Sequence, residues 1–538
     1  IADPHIVAKI LRGEEDRIRP CVGANYCLDR IYMGGMALCL HNPATGRELT
    51  EPHVAARAGT KRRVVIVGAG AAGIVIAREL ADRGHDVLVV EAGGRPPDDS
   101  HIDHFDGDNV GQRYDLVGTR YRALGGATNR WAGWCRPLDA YEMRYHRWVG
   151  GLRWPVSRDE LMRYSQQAAR LLALGPWEWD ATDISRRAGK PALSDLPGAD
   201  DRLGSVVWRF ATEPLSFAQR FGVFLDGPDS RIALHAPVTR ISVRKGRARS
   251  VTIKLRDGRD RIIDCESVVL AAGGIENVRL LLETKVSLQG TGERIDTSGW
   301  LGRGWQEHPH VGIGTAYIPE SIADEVLWLY TGRRNIDGTP VLAGLTLPTR
   351  DLRRRRMAAL SVTIDPQFAM NAPFAEGVRA IGSSVSGEAM RPYLLFARSE
   401  SRTVKGSRIT LSKRRDPLGR RQARLNWRID DGDYRDLARG ATVIARAFAR
   451  LRLGAVRVDA DRDTLAQRVG GGSHHIGGAR MSRSPRRGVT DPNGAVHAVP
   501  NLFVTGSAVF PSGGFSNPTL TIMALALRQA DFIAGVQR

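Results

Sequence analysis

Residues 62–94 have the sequence RRVVIVGAGAAGIVIARELADRGHDVLVVEAGG, and this stretch decides the fold class. The apolar run at 64–67 predicts a buried strand, followed by a glycine-rich turn, a helix to about residue 83 and a second apolar strand that closes on Glu91. Glycines in such a turn let a pyrophosphate approach the helix N-terminus, and the acid accepts hydrogen bonds from ribose hydroxyls. The turn glycines are Gly68, Gly70 and Gly73. The sequence therefore predicts a dinucleotide-binding unit in an α/β fold.

A second glycine turn favours FAD over NAD as the dinucleotide. Residues 268–282, VVLAAGGIENVRLLL, predict a strand, a turn at Gly273 and the start of a helix, which is expected of FAD folds rather than of simple NAD domains. The strand before this turn should bring Val238 near the adenine through backbone contact. A C-terminal turn, GSAVFP, supplies Gly506 and Ser507. We expect these separated pieces to build one composite FAD domain.

The stretch that should face the flavin ring lies between the first two pieces. In YRALGGATNRWAGWC, Gly125 and Gly126 let the backbone pass close under an isoalloxazine ring. The residues from Asn129 to Ala132 are the predicted lining of the flavin face.

Two C-terminal motifs carry the groups that alcohol oxidation needs. GGSHHIGGARM, at 471–481, holds His474 and His475, and GFSNPTLT, at 514–521, holds Asn517. When an alcohol gives a hydride to flavin, its hydroxyl proton must go elsewhere, and a neutral histidine can accept that proton. A neighbouring amide can stabilise the developing alkoxide. We therefore predict that a histidine of this pair and Asn517 share the oxygen of an alcohol substrate.

From residue 61 to the end, the chain resembles the glucose-methanol-choline (GMC) flavin oxidoreductases. The matching motifs are VGAGAAG, GGATNRW, AAGGIEN, HHIGGARM and GFSNPTLT, in family order, and the resemblance is to the branch of pyranose oxidase, gluconate and fructose dehydrogenase subunits and bacterial glycoside oxidases. The resemblance implies an FAD-binding Rossmann-like fold with an antiparallel-sheet substrate domain. It implies oxidation of the C2 or C3 hydroxyl of a sugar or glycoside, with oxygen or a redox partner as electron acceptor.

The resemblance also assigns site residues. His475 matches the base of the family and Asn517 its partner, while His474 either flanks the pocket or has a purely structural role. Asn517, Pro518 and Thr519 are expected to contact the cofactor. Where pyranose oxidase attaches its flavin to a histidine, this chain has Arg130, so we expect non-covalent FAD.

The predicted domains are discontinuous. Residues 61–140, 205–310 and 460–538 are expected to form the FAD-binding domain, and residues 141–204 and 311–459 the substrate domain. Alternating strands around a hairpin at Pro417–Gly419 predict the antiparallel sheet of the substrate domain. A capping box of Ser157 and Glu160 predicts a helix start.

Residues 1–60 form a separate N-terminal segment. They resemble the end of the barrel domain in the trimethylamine dehydrogenase and dienoyl-CoA reductase group, where an iron-sulfur loop follows a flavin barrel. Cys21, Cys27 and Cys39 have the spacing of that loop, and Ala24 stands where a further ligand is expected. An iron-sulfur cluster and a relic loop both remain open, as does an amine dehydrogenase or ene-reductase with an iron-sulfur relay. Because Ile1 stands in place of Met, we expect a processed chain or a piece of a longer one.

Composition excludes other classes of protein. The net charge is +20, but only eight of the 78 basic residues are lysine and the arginines are spread along the chain, without the interleaved aromatics of a nucleic-acid groove. No apolar run of about 18 residues predicts a membrane span. Five sparse cysteines favour a reducing, cytoplasmic compartment. The HPH at 308–310 is predicted to be a loop, since a metal pair would need a third ligand nearby.

Overall fold

A computed structural model describes residues 2–32, 37–39, 42, 45, 61–97, 102–199, 201–227, 230–366 and 388–535. The chain divides into two compact units, residues 1–60 with 82–84 and residues 61–81 with 85–538. The first unit contains the short helices α1 (Ile6–Ile10) and α2 (Tyr26–Tyr32). In it, the Asp3 carboxylate accepts hydrogen bonds from Lys9 Nζ at 2.7 Å and from the Arg19 amide at 2.8 Å.

Helices and strands alternate along the rest of the described chain. The helices are α3 (Ala71–Asp82), α4 (Ile102–Phe105), α5 (Arg158–Leu171), α6 (Ala181–Arg187), α7 (Phe217–Arg220), α8 (Gly222–Leu225), α9 (Gly274–Ser287), α10 (Glu320–Asp324), α11 (Thr349–Arg355), α12 (Asp431–Arg450), α13 (Arg462–Arg468) and α14 (Thr519–Ile533). The strands are β1 (Arg63–Val67), β2 (Asp86–Val90), β3 (Gly107–Gly111), β4 (Trp134–Cys135), β5 (Gly204–Phe210), β6 (Ile232–Ala233), β7 (Val238–Arg244), β8 (Arg247–Lys254), β9 (Asp260–Asp264), β10 (Ser267–Leu270), β11 (Pro309–Pro319), β12 (Arg334–Ile336), β13 (Thr339–Thr346), β14 (Leu360–Pro366), β15 (Met390–Ser399), β16 (Arg408–Arg415), β17 (Arg421–Trp427), β18 (Ala455–Val458), β19 (Gly470–Gly471), β20 (Ala495–Val496) and β21 (Val499–Val504).

A six-stranded sheet carries the predicted dinucleotide unit, in the order β20–β21–β10–β1–β2–β6. Strand β1 pairs in parallel with β2 and with β10, and β10 pairs in parallel with β21. The apolar runs in β1 and β10 are buried, as expected for strands covered on both faces. The predicted strand, turn, helix and strand of residues 62–94 are confirmed, and so is the α/β fold class.

A nine-stranded antiparallel sheet forms the second layer. Its main path is β18–β11–β15–β14–β13–β5–β4, with β12 paired to β13 and β19 to β11. The predicted antiparallel sheet is therefore present. It also includes β4 and nearly all of β5, whose residues the sequence prediction assigned to the FAD-binding pieces. The reason is pairing: six of the seven residues of β5 lie opposite β13, from Gly204 opposite Thr346 to Arg209 opposite Val341.

Two local predictions had different outcomes in the structure. The Ser157 side chain accepts a hydrogen bond from the Glu160 amide at 3.2 Å, which confirms the helix cap. The hairpin of β16 and β17 is also present, but it does not join the nine-stranded sheet. It pairs instead with β3 in a three-stranded sheet, since β3 and β17 run in parallel register.

Among the described residues, no helix is both long enough and apolar enough to span a membrane.

Candidate active site

A cavity lies at the carboxyl ends of β1, β10 and β21, where three turns converge. Parallel strands of an open sheet bring their carboxyl ends to one edge, which is where such folds bind ligands. Most of the residues predicted to bind the cofactor line this cavity. They are Gly68, Gly70, Glu91, Gly126, Val238, Gly273, Gly506, Ser507 and Thr519, and His475 lines it as well.

The cavity residues fit a bound FAD. A Cβ built on Gly273 or on Gly506 meets no atom within 4 Å, so the space beside these glycines is open to a ligand. On Gly70 the nearest atom is the Gly126 Cα, at 3.9 Å. Two buried polar atoms of the lining have no hydrogen-bond partner, Thr505 Oγ1 and Arg420 Nε. A bound dinucleotide would fill the space beside the glycines and could bond to the unpartnered polar atoms. Its pyrophosphate would lie at the amino end of α3.

The remaining predicted residues lie outside this lining, and several have a clear structural contact. A Cβ on Gly73 would lie 2.0 Å from the Gly68 oxygen, so Gly73 allows α3 to pack on the turn. Gly125 has φ +91° and its amide donates to the Ala69 oxygen at 2.8 Å. Asn129 Nδ2 donates to the Leu124 and Gly126 oxygens at 2.9 Å, so it holds the turn. Ala132, Asn517 and Pro518 are also absent from the lining.

Charged groups that sequence reasoning missed also reach the cavity. Arg120 lines it and forms a buried ion pair with Glu276 Oε1 at 2.7 Å. The predicted Glu91 also lines the cavity, and it accepts hydrogen bonds from the amides of Ala69 at 2.7 Å and Gly93 at 2.9 Å. Burial raises the pKa of Glu91. Arg120 comes from a loop with no recognisable motif, so the sequence carried no signal for it.

The two adjacent histidines point to different places. His475 lines the cavity, and its Nε2 lies 3.2 Å from Thr119 Oγ1. Its ring makes an edge contact with Tyr114, with centroids 5.7 Å apart. Burial, and then the charge of Arg120, lowers the pKa of His475 to about 3. His475 and Asn517 are predicted to share the oxygen of the substrate, but in the structure the hydrogen-bond partner of His475 Nε2 is Thr119.

Asn517 is paired with His474 instead. Asn517 Nδ2 lies 3.3 Å from His474 Nε2, and Trp208 Nε1 donates to Asn517 Oδ1 at 3.1 Å. The indole can only donate, so it fixes the amide with its oxygen towards Trp208 and its nitrogen towards His474. Trp208 lies 309 positions from Asn517 in the sequence, and no sequence motif connects them.

A third histidine, His308, sets the tautomer of His474. His308 Nε2 faces the Gly513 carbonyl at 3.3 Å, and its Nδ1 lies 2.9 Å from His474 Nδ1. Burial lowers the pKa of His308 to about 4, so the ring is neutral with its single proton on Nε2. Its Nδ1 must then accept a hydrogen bond from the Nδ1–H of His474. His474 Nε2, which faces Asn517, therefore carries a lone pair.

The environment of His474 keeps it unprotonated. Burial, followed by electrostatic interactions with the His308 and His310 imidazoles, holds the pKa of His474 well below its ordinary value. The imidazoles of His310 and His474 have centroids 5.6 Å apart. His308 and His310 belong to the HPH motif that is predicted to be a loop; in the structure His308 lies in a loop, but β11 begins at Pro309, so the prediction is wrong for Pro309 and His310. The motif was a usable signal, but its partners are provided by the fold.

A buried carboxylate holds the histidine segments in place. Glu307 accepts hydrogen bonds from Tyr114 Oη at 2.6 Å, from the His308 amide at 2.8 Å and from the His474 amide at 2.9 Å. Burial raises the pKa of Glu307 to about 7. Glu307 thus fixes the backbones of both interacting histidines.

A second buried carboxylate holds the Asn517 loop. Glu142 accepts hydrogen bonds from the Phe515 amide at 2.8 Å and from the Ser516 amide at 3.0 Å. Arg136 Nη1 lies 2.9 Å from Glu142 Oε2 and also contacts Ser516 Oγ. These bonds fix the chain immediately before Asn517.

The structure brings no metal ligands together in the part of the chain that it describes. Cys21, Cys27 and Cys39 are free thiols, exposed or partly exposed. Among the described residues, no group of three or more His, Cys, Asp or Glu side chains is placed to hold an ion. This includes the histidine cluster formed by His308, His310 and His474.

The fold and this site are similar to those of FAD-dependent oxidoreductases. Two family models match the chain, "FAD dependent oxidoreductase" over residues 63–291 and "GMC oxidoreductase" over residues 403–526. The second match covers the segment with the His474 and Asn517 motifs. The fold is that of solved GMC enzymes: pyridoxine 4-oxidase from Mesorbium loti superposes with a TM-score of 0.54 at 18% identity, over 89% of this chain and 100% of that one.

Curated relatives resemble the chain in two ways. A 2-methyl-1,2-propanediol dehydrogenase of Mycolicibacterium austroafricanum is 26% identical over 88% of this chain and 95% of its own length. An N,N-dimethylglycine/sarcosine dehydrogenase of Chromohalobacter salexigens is 55% identical, but only over 17% of this chain and 14% of its own length. The chain spans about a seventh of the length of relatives of this second kind.

Filling the open face of Gly70 should remove the cofactor. We expect Gly70→Val to fold but to retain little FAD, because the new side chain projects into the cavity beside the α3 terminus. The check is the ratio of flavin absorbance to protein in the purified variant. Gly222→Val is the control, since a Cβ there also meets no atom within 4 Å but the residue does not line the cavity. Full flavin content in Gly70→Val would contradict the placement of the pyrophosphate.

Proposed function

We propose that the protein oxidises a secondary alcohol of a sugar or glycoside, at its C2 or C3 hydroxyl, and that the proton goes to His474. The observation that carries the proposal is the arrangement of His474 Nε2 and Asn517 Nδ2, 3.3 Å apart next to the FAD cavity. The similarity along most of the chain to a 2-methyl-1,2-propanediol dehydrogenase supports an alcohol as the substrate class.

The site residues divide the work of the reaction. Bound FAD supplies the hydride acceptor. His474 Nε2 accepts the hydroxyl proton, because its own proton is held on Nδ1 by His308. Asn517 Nδ2 donates to the same oxygen and stabilises the negative charge that develops on it. Trp208 keeps the amide in the donating orientation, and Glu307 keeps His474 in reach.

Aromatic side chains beside the pair support a ring-shaped substrate. Trp134 and Trp208 lie with ring centroids 5.4 Å apart, and Trp134 is 4.7 Å from Phe210. Trp134 is only partly buried, so one part of its surface is open to a ligand. Flat apolar surfaces beside hydrogen-bonding groups suit a carbohydrate ring.

We propose the domain roles on the same basis. Residues 61–140, 205–310 and 460–538 bind FAD, and residues 141–204 and 311–459 hold the substrate, except that β5 contributes Trp208 to the substrate side. The electrons then pass to oxygen or to a redox partner.

Anaerobic reduction of the bound FAD tests the function directly. We expect bleaching of the flavin by sugars or plant glycosides, because these present a secondary hydroxyl to His474. Secondary and tertiary amines are the comparison, since they are the expected reductants of an amine dehydrogenase. NADPH is a further control, as the expected reductant of an ene-reductase. Bleaching by amines alone would overturn the proposal.

The rate of flavin reduction should be independent of pH over the neutral range. His474 acts only when neutral, and its pKa lies well below the ordinary value of 6.5. The base form therefore persists as the pH falls through 6.5, and the rate should decline only at more acidic pH. Anaerobic stopped-flow reduction of the holoenzyme at a series of pH values measures this. A decline that starts at neutral pH and persists in Glu307→Gln would show that the base has an ordinary histidine pKa, whereas a decline that this variant removes would belong to Glu307, whose pKa is about 7.

A further inference from the structure

Two arginines stand around the aromatic side chains next to the base. Arg398 Cζ lies 4.8 Å from the ring centroid of Trp134 and 5.9 Å from that of Trp208. Arg333 Cζ lies 5.5 Å from Trp134 and 3.9 Å from Phe210. Both guanidinium groups thus approach the same indole, Trp134, which is open to a ligand.

Arg398 is also close to the histidine cluster. It is the direct neighbour of His310 across the β11–β15 pairing, and the His310 ring lies 5.6 Å from that of His474. Its charge contributes to the lowered pKa of both His310 and His474. On its other side, it approaches Trp208, which holds Asn517. Arg398 therefore lies between the two supports of the catalytic pair.

Neither arginine is neutralised within the described residues. No carboxylate there lies within ion-pair distance of Arg398 or Arg333, whereas many other arginines of the chain are paired, as Arg391 is with Glu320 and Asp324. Arg398 Nη1 donates to Thr363 Oγ1 at 2.9 Å, and Asp365 acts on it only through the field of its charge.

The surroundings of these two charges favour an anion between them. Burial lowers the pKa of Arg398 and also that of Arg333. Arg398 is half-buried and Arg333 lies at the exposed edge of the same indole. Two like charges around one ring, one of them partly removed from water with no carboxylate in direct contact, are unfavourable, and a bound anion would relieve this.

We infer that the alcohol substrate carries a carboxylate, which Arg398 binds while the hydroxyl reaches His474 and Asn517. Trp134 packs against the body of the substrate, and Arg333 adds a second positive charge at the open edge. This inference rests on the proposed function and narrows its substrate class to acidic sugars of the uronic acid type. A planar guanidinium is suited to bind a carboxylate through two hydrogen bonds.

The experiment compares a uronic acid with its neutral parent sugar on the holoenzyme. Glucuronate and glucose are each mixed with the holoenzyme under anaerobic conditions in a stopped-flow instrument, and each Kd is obtained from the dependence of the flavin reduction rate on ligand concentration. We expect glucuronate to bind about 10-fold to 100-fold more tightly than glucose, as a charge-assisted hydrogen bond predicts. In Arg398→Gln this difference should disappear, while Arg398→Lys should keep part of it because the charge remains. Equal binding of the two ligands to the unmodified protein overturns the inference.

Matched variants keep this result separate from the proposed function. Arg391→Gln lies on the same strand but removes an arginine already paired with Glu320 and Asp324, so it should keep the preference for glucuronate. A loss of preference in Arg391→Gln equal to that in Arg398→Gln would overturn the inference, because the effect would then be one of net charge. Flavin bleaching by neutral sugars, without a carboxylate preference, would leave the proposed function standing and reject the inference alone.

Discussion

Replacing His474 by alanine is expected to slow the reduction of bound FAD by an alcohol by about 100-fold to 10,000-fold, which is the usual contribution of a general base. FAD should remain bound, because His474 is not part of the cavity lining. The physical reason is that His474 Nε2 carries the lone pair that faces Asn517 Nδ2, 3.3 Å away. Anaerobic stopped-flow kinetics of His474→Ala measures the rate, and the visible spectrum measures the retained flavin.

His475→Ala is the matched control for this prediction, since it removes an adjacent imidazole with a similarly lowered pKa. We expect it to weaken FAD binding and to change the reduction rate by less than about 10-fold, because Thr119 rather than Asn517 is its partner. Added imidazole should restore part of the rate of His474→Ala if the loss is one of a base. A large loss in His475→Ala with little effect in His474→Ala would show that the roles are reversed.

The pairing of Asn517 with His474 rather than with His475 has a structural cause. Sequence similarity places a motif in a family, but adjacent residues of an extended segment point to opposite sides, so a shift of one position exchanges their environments. Here Ile476 bridges Gln306, and Ser473 has φ +62°, which sets the direction of each imidazole. Neither feature could be predicted from the local sequence.

The local parts of the fold were predictable, and the long-range parts were not. The turns at Gly68 and Gly273 and the cap at Ser157 depend on residues a few positions apart, so their patterns are visible in the sequence. The groups that complete the site come from distant strands. Trp208 reaches Asn517 from β5, whose place in the nine-stranded sheet depends on its pairing with β13. The HPH motif was noticed but lacked its partner, because His308 meets His474 from 166 positions away.

Removing the carboxylate of Glu142 should destabilise the protein strongly. We expect Glu142→Ala to lower the free energy of unfolding by up to about 3–5 kcal/mol, because the buried Arg136 then keeps only the partly exposed Asp139 at 3.1 Å as a partner. Glu142 and Arg136 are 0% and 10% exposed at their side chains and 2.9 Å apart. The amides of Phe515 and Ser516 would also lose their acceptor. Denaturant unfolding of the holo variant measures the change, and a loss below about 1 kcal/mol would contradict a buried ion pair of this kind.

A double-mutant cycle separates the ion pair from the loop that it supports. Glu142→Leu combined with Arg136→Met removes both charges, so the double variant should lose less stability than the sum of the single variants. We expect slow flavin reduction in Glu142→Leu, because no carboxylate then fixes the Phe515 and Ser516 amides before Asn517. The rate should remain slow in the double variant, even though its stability is partly restored. Additive losses of stability would show that the two side chains act independently. Recovery of the reduction rate together with stability would show that Asn517 is held by the fold alone, and that Glu142 does not position it.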